Sequence, residues 1–202
     1  MADDRSPALL VVDVQHDFCP GGALAVPSGD RVVPVLNRVI DTLDRRGAPI
    51  YASRDWHPSD TNHFRDHGGG WPVHCVAGLP GAAFHPDLRL PASAIVISKG
   101  QAPDAHGYSV FEGQTESGES FGDDLRKRGV RHLYVGGLAT DYCVKHSVLD
   151  ALRAGLEVTV LADAIAGAEV NPGDSMRAIE EMRAAGARFA TSDDMLGSRV
   201  RR

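Results

Sequence analysis

Short unbroken apolar runs alternate along this chain with amphipathic stretches. The runs fall at Ala8–Val14, Pro49–Ser53, Ala94–Ser98, His132–Gly136, Glu157–Leu161 and Arg188–Ala190. Most are rich in Val, Ile and Leu without polar alternation, the pattern of parallel strands covered on both faces. Between them, Asp30–Arg46 carries Val32, Val33, Leu36, Val39, Ile40 and Leu43 at helical spacing and stops at Gly47. Glu119–Arg128 runs into Gly129, Asp141–Ala154 into Gly155, and Asp174–Ala185 into Gly186. Each of these four segments closes on a glycine and leads into a strand. The pattern predicts a three-layer, doubly wound α/β fold, with a six-stranded, mainly parallel sheet and helices on both faces. A single domain over residues 1–202 is expected. The aperiodic stretch at about 54–90 stands apart, because loops that long inside compact domains are usually functional.

Ligands of such sheets bind beyond the carboxyl ends of the strands. Strand one ends at Asp13, strand two at Asp55, strand three at Lys99, and strand four at Gly136-Gly137, shortly before Cys143. Four potentially reactive side chains are thereby expected on one edge. Cys143 opens a helix, where free N–H groups and the helix dipole favour a thiolate, and a nearby lysine would lower its pKa further. A carboxylate could shuttle the proton. His146, three residues on, is a competing partner, but it belongs to the helix body and is expected to pack there. Cys19 and Cys75 sit in loops and read as small hydrophobic filler.

Composition narrows the setting without naming a reaction. The chain has 202 residues, 43% hydrophobic and 24% charged, as in an ordinary globular domain. A net charge of −6 and a lone basic run at Arg199-Val200-Arg201-Arg202 give no nucleic-acid footprint. No apolar run reaches the roughly 18–20 residues of a membrane span. Met1-Ala2-Asp3-Asp4-Arg5 does not open a secretory leader. Three cysteines are too few for a disulfide framework, so a reducing, cytoplasmic setting is expected.

The region at 54–90 has its own chemistry. Asp55, His57, His63 and His74 put one carboxylate and three imidazoles within twenty residues, a donor set suited to Zn, Mn or Fe. Asp55 and His57 would share one side of an extended segment. Gly68-Gly69-Gly70 lets the following loop bend to bring in the other two.

Taken together, these segments resemble a known family. Val12-Asp13-Val14-Gln15-His16-Asp17-Phe18, Ser98-Lys99-Gly100 and Gly137-Leu138-Ala139-Thr140-Asp141-Tyr142-Cys143-Val144 are similar to the three signature segments of the isochorismatase-like cysteine hydrolases. Arg54-Asp55-Trp56-His57-Pro58 and Trp71-Pro72-Val73-His74-Cys75-Val76 resemble the nicotinamidase/pyrazinamidase branch. The resemblance implies a catalytic triad of Asp13, Lys99 and Cys143, and an oxyanion hole from the N–H groups of Ala139 and Cys143 after a cis Leu138–Ala139 peptide. It implies one divalent ion (Zn, Fe or Mn) on Asp55, His57, His63 and His74. Pocket walls would come from Phe18, Trp71, Leu138 and Tyr108, the last ending a stretch at 101–108 slightly longer than in close relatives. The implied activity is hydrolysis of nicotinamide to nicotinic acid and ammonia through a cysteine thioester, with pyrazinamide also accepted, as an enzyme of NAD salvage. The expected partner is this small molecule, with neither nucleic acid nor membrane; self-association is left open. Two rivals are a metal-independent hydrolase of N-carbamoyl or ureido substrates and a catalytically idle binding protein.

Overall fold

The computed structural model describes residues 6–197, so the basic run at 199–202 lies outside the described residues. Six strands, β1 (Pro7–Val12), β2 (Ile50–Asp55), β3 (Ile95–Lys99), β4 (His132–Leu138), β5 (Glu157–Ala166) and β6 (Arg188–Ala190), form one sheet in the order β3-β2-β1-β4-β5-β6. Every pairing within it is parallel, so the expected "mainly parallel" sheet is wholly so among the described residues. Helices α1 (Val32–Asp44), α2 (Phe121–Lys127), α3 (Lys145–Arg153), α4 (Asp174–Ala184) and α5 (Ser192–Gly197) flank it.

Alternation along the strands divides the core in two. Leu9 and Val11 face one layer, where they pack with Leu36, Val39 and Ile40 of α1 and Met195 of α5. Ala8, Leu10 and Val12 face the other, with Phe121 and Leu125 of α2, Val148 of α3 and Met182 of α4. Leu36 and Ile40 are almost fully buried, and each side chain withdrawn from water is worth about 1.5–3 kcal/mol. All four anticipated glycine stops (Gly47, Gly129, Gly155, Gly186) take positive φ, as helix termini of this kind require.

Two departures from the expected elements bear on function, and the stretch at about 54–90 is aperiodic as expected. β1 stops at Val12, because Asp13 turns to φ +48°. The helix expected from Asp141 opens with a wide turn at Thr140–Val144 of π-helical geometry, a form that often marks functional positions. Between β2 and β3 there is only irregular chain with two short 3₁₀ turns, Arg65–His67 and Pro80–Ala82, tied by the bridges His57↔Val76 and Phe64↔Trp71. The Gly68-Gly69-Gly70 bend closes the second of these bridges, which folds His63 back toward His57.

Candidate active site

The chain winds outward from β1 through β2 to β3 and then restarts at β4, so β1 and β4 flank the point where the winding reverses. The crevice at such a point is where doubly wound sheets bind ligands. Asp13 follows β1 there, and Ala139 and Cys143 follow β4. The register Asp55↔Lys99 sets the last residues of β2 and β3 side by side. All four strand-end residues named from the sequence meet at this edge.

Lys99 is the hub. Its ammonium lies 2.8 Å from Asp13 Oδ2, bonds to Asp55 Oδ1 and the Gly107 carbonyl (2.6 Å), and reaches Cys143 Sγ at 3.4 Å. Ser53 donates to the other Asp13 oxygen at 2.7 Å, while Oδ2 receives no directed hydrogen bond. Burial would lower Lys99, but the Asp13 and Asp55 carboxylates outweigh it and raise the group well above its ordinary value, so the ammonium persists. Asp13 is raised, first by burial and then by Asp55, against the pull of Lys99. Burial would raise Asp55 too, yet Lys99 and His57 outweigh it and hold that carboxyl below the usual range.

The thiol departs from expectation. Burial, reinforced by Asp13 and Asp55, pushes Cys143 well above the ordinary thiol value, and Lys99 offsets only part of this. A helix start and a lysine predicted a lowered value, but desolvation beside two carboxylates wins, and the resting group is a thiol. Cys19 and Cys75 are buried core members, as expected, and burial raises Cys19 to about 11 and Cys75 well above the ordinary thiol value. His146 lies within α3 and stacks on Tyr108 at 5.4 Å.

The second group of donors adjoins the first through Asp55. Its Oδ2 lies 3.6 Å from His57 Nε2 and 4.0 Å from His74 Nε2. His57, His63 and His74 each bring a ring nitrogen within 4.8 Å of the others, and all three are buried. His57 Nδ1 meets the Gly100 carbonyl at 3.1 Å, and His74 Nδ1 meets the Pro72 carbonyl at 2.8 Å. A carbonyl only accepts, so both Nδ1 atoms carry a proton and each Nε2 is turned toward the cluster. Burial lowers His63 to about 4 and lowers His74 as well, so both stay neutral. His57 Nε2 is buried with no hydrogen-bond partner. An unpartnered buried ring nitrogen beside two neutral imidazoles and a carboxylate fits a divalent transition ion.

Both groups border one small cavity of about 40 Å³. Phe18, Trp71 and Tyr108 line it as expected, together with Ala139, Cys143, Asp55, His63 and His74. Trp71 Nε1 donates to Tyr108 Oη at 2.9 Å, which fixes both walls. The Leu138–Ala139 peptide is cis. Leu138 itself requires a correction: its side chain is wholly buried in the core layer shared with α1 and does not line the cavity. It is the last residue of β4, and strand alternation turns it into the layer rather than past the sheet edge. Leu24, Val26, Tyr142 and Ala168 also line the cavity. Of these, Tyr142 was within reach of sequence reasoning, since it directly precedes Cys143; the others come from loops without periodicity.

Residues 7–194 match the model of the isochorismatase domain family. Among characterised proteins, the chain is 44% identical to the nicotinamidase of Escherichia coli (strain K12), over 93% of this chain and 95% of that one. It is 42% identical to the nicotinamidase/pyrazinamidase of Mycobacterium tuberculosis (strain H37Rv), over 92% of this chain and 98% of that one. Among solved structures, the pyrazinamidase of Pyrococcus horikoshii in complex with zinc superposes with a TM-score of 0.84 at 46% identity, covering 92% of this chain and 99% of that one.

Proposed function

The chain belongs to the isochorismatase domain family, and on that premise we propose that it is a nicotinamidase. It hydrolyses nicotinamide to nicotinic acid and ammonia through a thioester on Cys143, and it also accepts pyrazinamide. One observation carries this reading: a buried Asp13/Lys99/Cys143 cluster and a buried three-histidine, one-carboxylate cluster share a single small aromatic cavity.

The proton inventory sets the mechanism. The resting thiol is neutral and Asp13 Oδ2 is free of directed hydrogen bonds. As the carboxamide arrives, Asp13 takes the Cys143 proton and the sulfur attacks the amide carbon. The backbone N–H groups of Ala139 and Cys143 hold the developing oxyanion. Asp13 then gives its proton to the departing nitrogen, ammonia leaves, and a thioester remains. Water, deprotonated by Asp13, attacks the thioester, and the returning proton regenerates the thiol. Lys99 offsets one negative charge of the cluster at each stage.

Asp55, His57, His63 and His74 would hold a divalent ion of the Zn, Fe or Mn class. When bound, it supplies a Lewis-acidic anchor for the pyridine nitrogen, directly or through water. The chain's own residues set the rest of the pose, with Phe18, Trp71 and Tyr108 confining the flat ring. The test is ammonia release from nicotinamide by purified protein, with and without added metal. Turnover well above background supports the reading; turnover of a ureido substrate but not of nicotinamide overturns it.

A further inference from the structure

We propose that Gln15 is a positioning residue for Asp55, completing by its side chain a ladder that β1 abandons; this rests on the metal reading above. In β1 and β2, Leu9, Leu10 and Val11 pair with Ile50, Tyr51 and Ala52, and the last main-chain bond runs from Asp13 N to Ser53 O at 3.2 Å. Asp13 then turns to φ +48°, which lifts the chain out of the sheet. β2 continues to Asp55, still paired on its other side with Lys99 of β3. Peptide groups two residues apart in a strand face the same neighbour, so the N–H and C=O of Asp55, like the carbonyl of Ser53, face the side that β1 has left.

The Gln15 side chain occupies that place. Its Oε1 accepts from Asp55 N at 2.8 Å, and its Nε2 donates to Asp55 O at 2.8 Å. The second Nε2 hydrogen goes to Ala82 O at 2.9 Å, in the loop on the far side. The donor-only N–H of Asp55 dictates which way the amide faces. Gln15 is fully buried, so no water can replace it. One primary amide thus reproduces both hydrogen bonds of a strand neighbour. The Asp13 kink and the placement of Asp55 are two parts of one arrangement: Asp13 can leave the ladder because Gln15 holds Asp55 in its stead. Asp55 in turn carries Lys99 on one oxygen and faces His57 and His74 with the other.

The test uses full-length protein, with Zn²⁺ as the probe and a chromophoric chelator as competitor. Gln15→Met removes all three bonds at nearly constant volume. Gln15→Glu keeps the acceptor for Asp55 N–H and loses both donors. Tyr51→Phe is the control, because it deletes a buried 2.6 Å bond to Asp124 from the same strand, away from the site. Both Gln15 variants should weaken Zn²⁺ binding by roughly 10–100-fold, the usual loss for partners of metal ligands. Tyr51→Phe should lower Tm and leave Zn²⁺ affinity unchanged. Wild-type affinity in both Gln15 variants overturns the inference, as does a parallel loss in Tyr51→Phe, which would mark a global effect. If Gln15→Met does not fold, Gln15→Glu decides alone. A wild-type protein that takes up no Zn²⁺ overturns the metal reading, and the inference with it.

Discussion

At Lys99 two carboxylates and one thiol share a single ammonium, and that unequal count dictates how each residue can act. The cluster already carries one excess negative charge, so a resting thiolate would add a second in a buried site. Cys143 therefore rests protonated, and Asp13 must be ionised to receive its proton. Cys143→Ala should abolish turnover while leaving Zn²⁺ content and Tm near wild type, measured by ammonia release and thermal unfolding. Cys19→Ala and Cys75→Ala should keep most activity, since burial holds both thiols protonated away from the cavity. The pH dependence follows from Asp13. Its pKa is raised, so the acid limb of kcat/KM should lie above the ordinary carboxylate value, with rate lost as pH falls through it. Lys99→Met removes the chief influence that lowers both Asp13 and Cys143. The acid limb should then move to higher pH, and kcat should fall by about 10²–10⁴-fold, more than KM changes. An unmoved profile with only a raised KM would show that Lys99 merely contacts substrate.

At the scale of elements, regular structure was legible and its endings were not. Apolar runs located all six strands, and glycine stops located four helices, because burial on both sheet faces forces those patterns. The meeting of Asp13, Asp55, Lys99 and Cys143 at one edge, and the clustering of His57, His63 and His74, were also legible, since strand ends and a histidine-rich loop mark them in the sequence. The left-handed turn at Asp13, the wide turn before α3 and the inward face of Leu138 were hidden, because each depends on contacts between segments far apart in sequence. Gln15 was hidden for the same reason, its partners lying 40 and 67 residues away. The short α5 was missed because its six residues are too few for periodicity. Gly100 belongs to this scale, since it turns the chain out of β3 at φ +67° with the His57 ring against it. A methyl there would meet His57 Cε1 at 2.5 Å. Gly100→Ala should cost about 1–2 kcal/mol for the left-handed backbone alone. It should also displace His57 and weaken Zn²⁺ binding, which thermal unfolding and chelator competition would measure separately. Unchanged Zn²⁺ affinity would show that the ring position does not depend on this close approach.

Across the whole molecule, the point where the sheet reverses its winding explains why two chemistries face one cavity. β1 and β4 bring Asp13 and Cys143, β2 and β3 bring Asp55 and Lys99, and the long β2–β3 connection folds His63 and His74 back over the same edge. On the proposed reading the scissile amide and the ring are gripped by separate parts of the fold, and the two grips can be separated by experiment. Nicotinamide and pyrazinamide both present a ring nitrogen to the histidine cluster. Benzamide has the same shape and the same amide but lacks that nitrogen, so it should react far more slowly. A site built around a polar contact rejects an analogue that cannot make it, by up to about 10⁴–10⁵-fold in favourable cases. Chelation, or His57→Ala, should remove most of that preference by lowering the nicotinamide rate toward the benzamide rate. Residual hydrolysis of both amides should persist, because Asp13, Lys99 and Cys143 remain in place. Steady-state kinetics on the two amides, with and without chelator, read the ratio directly. A metal-stripped protein that still strongly prefers nicotinamide would assign the discrimination to Phe18, Trp71 and Tyr108 instead.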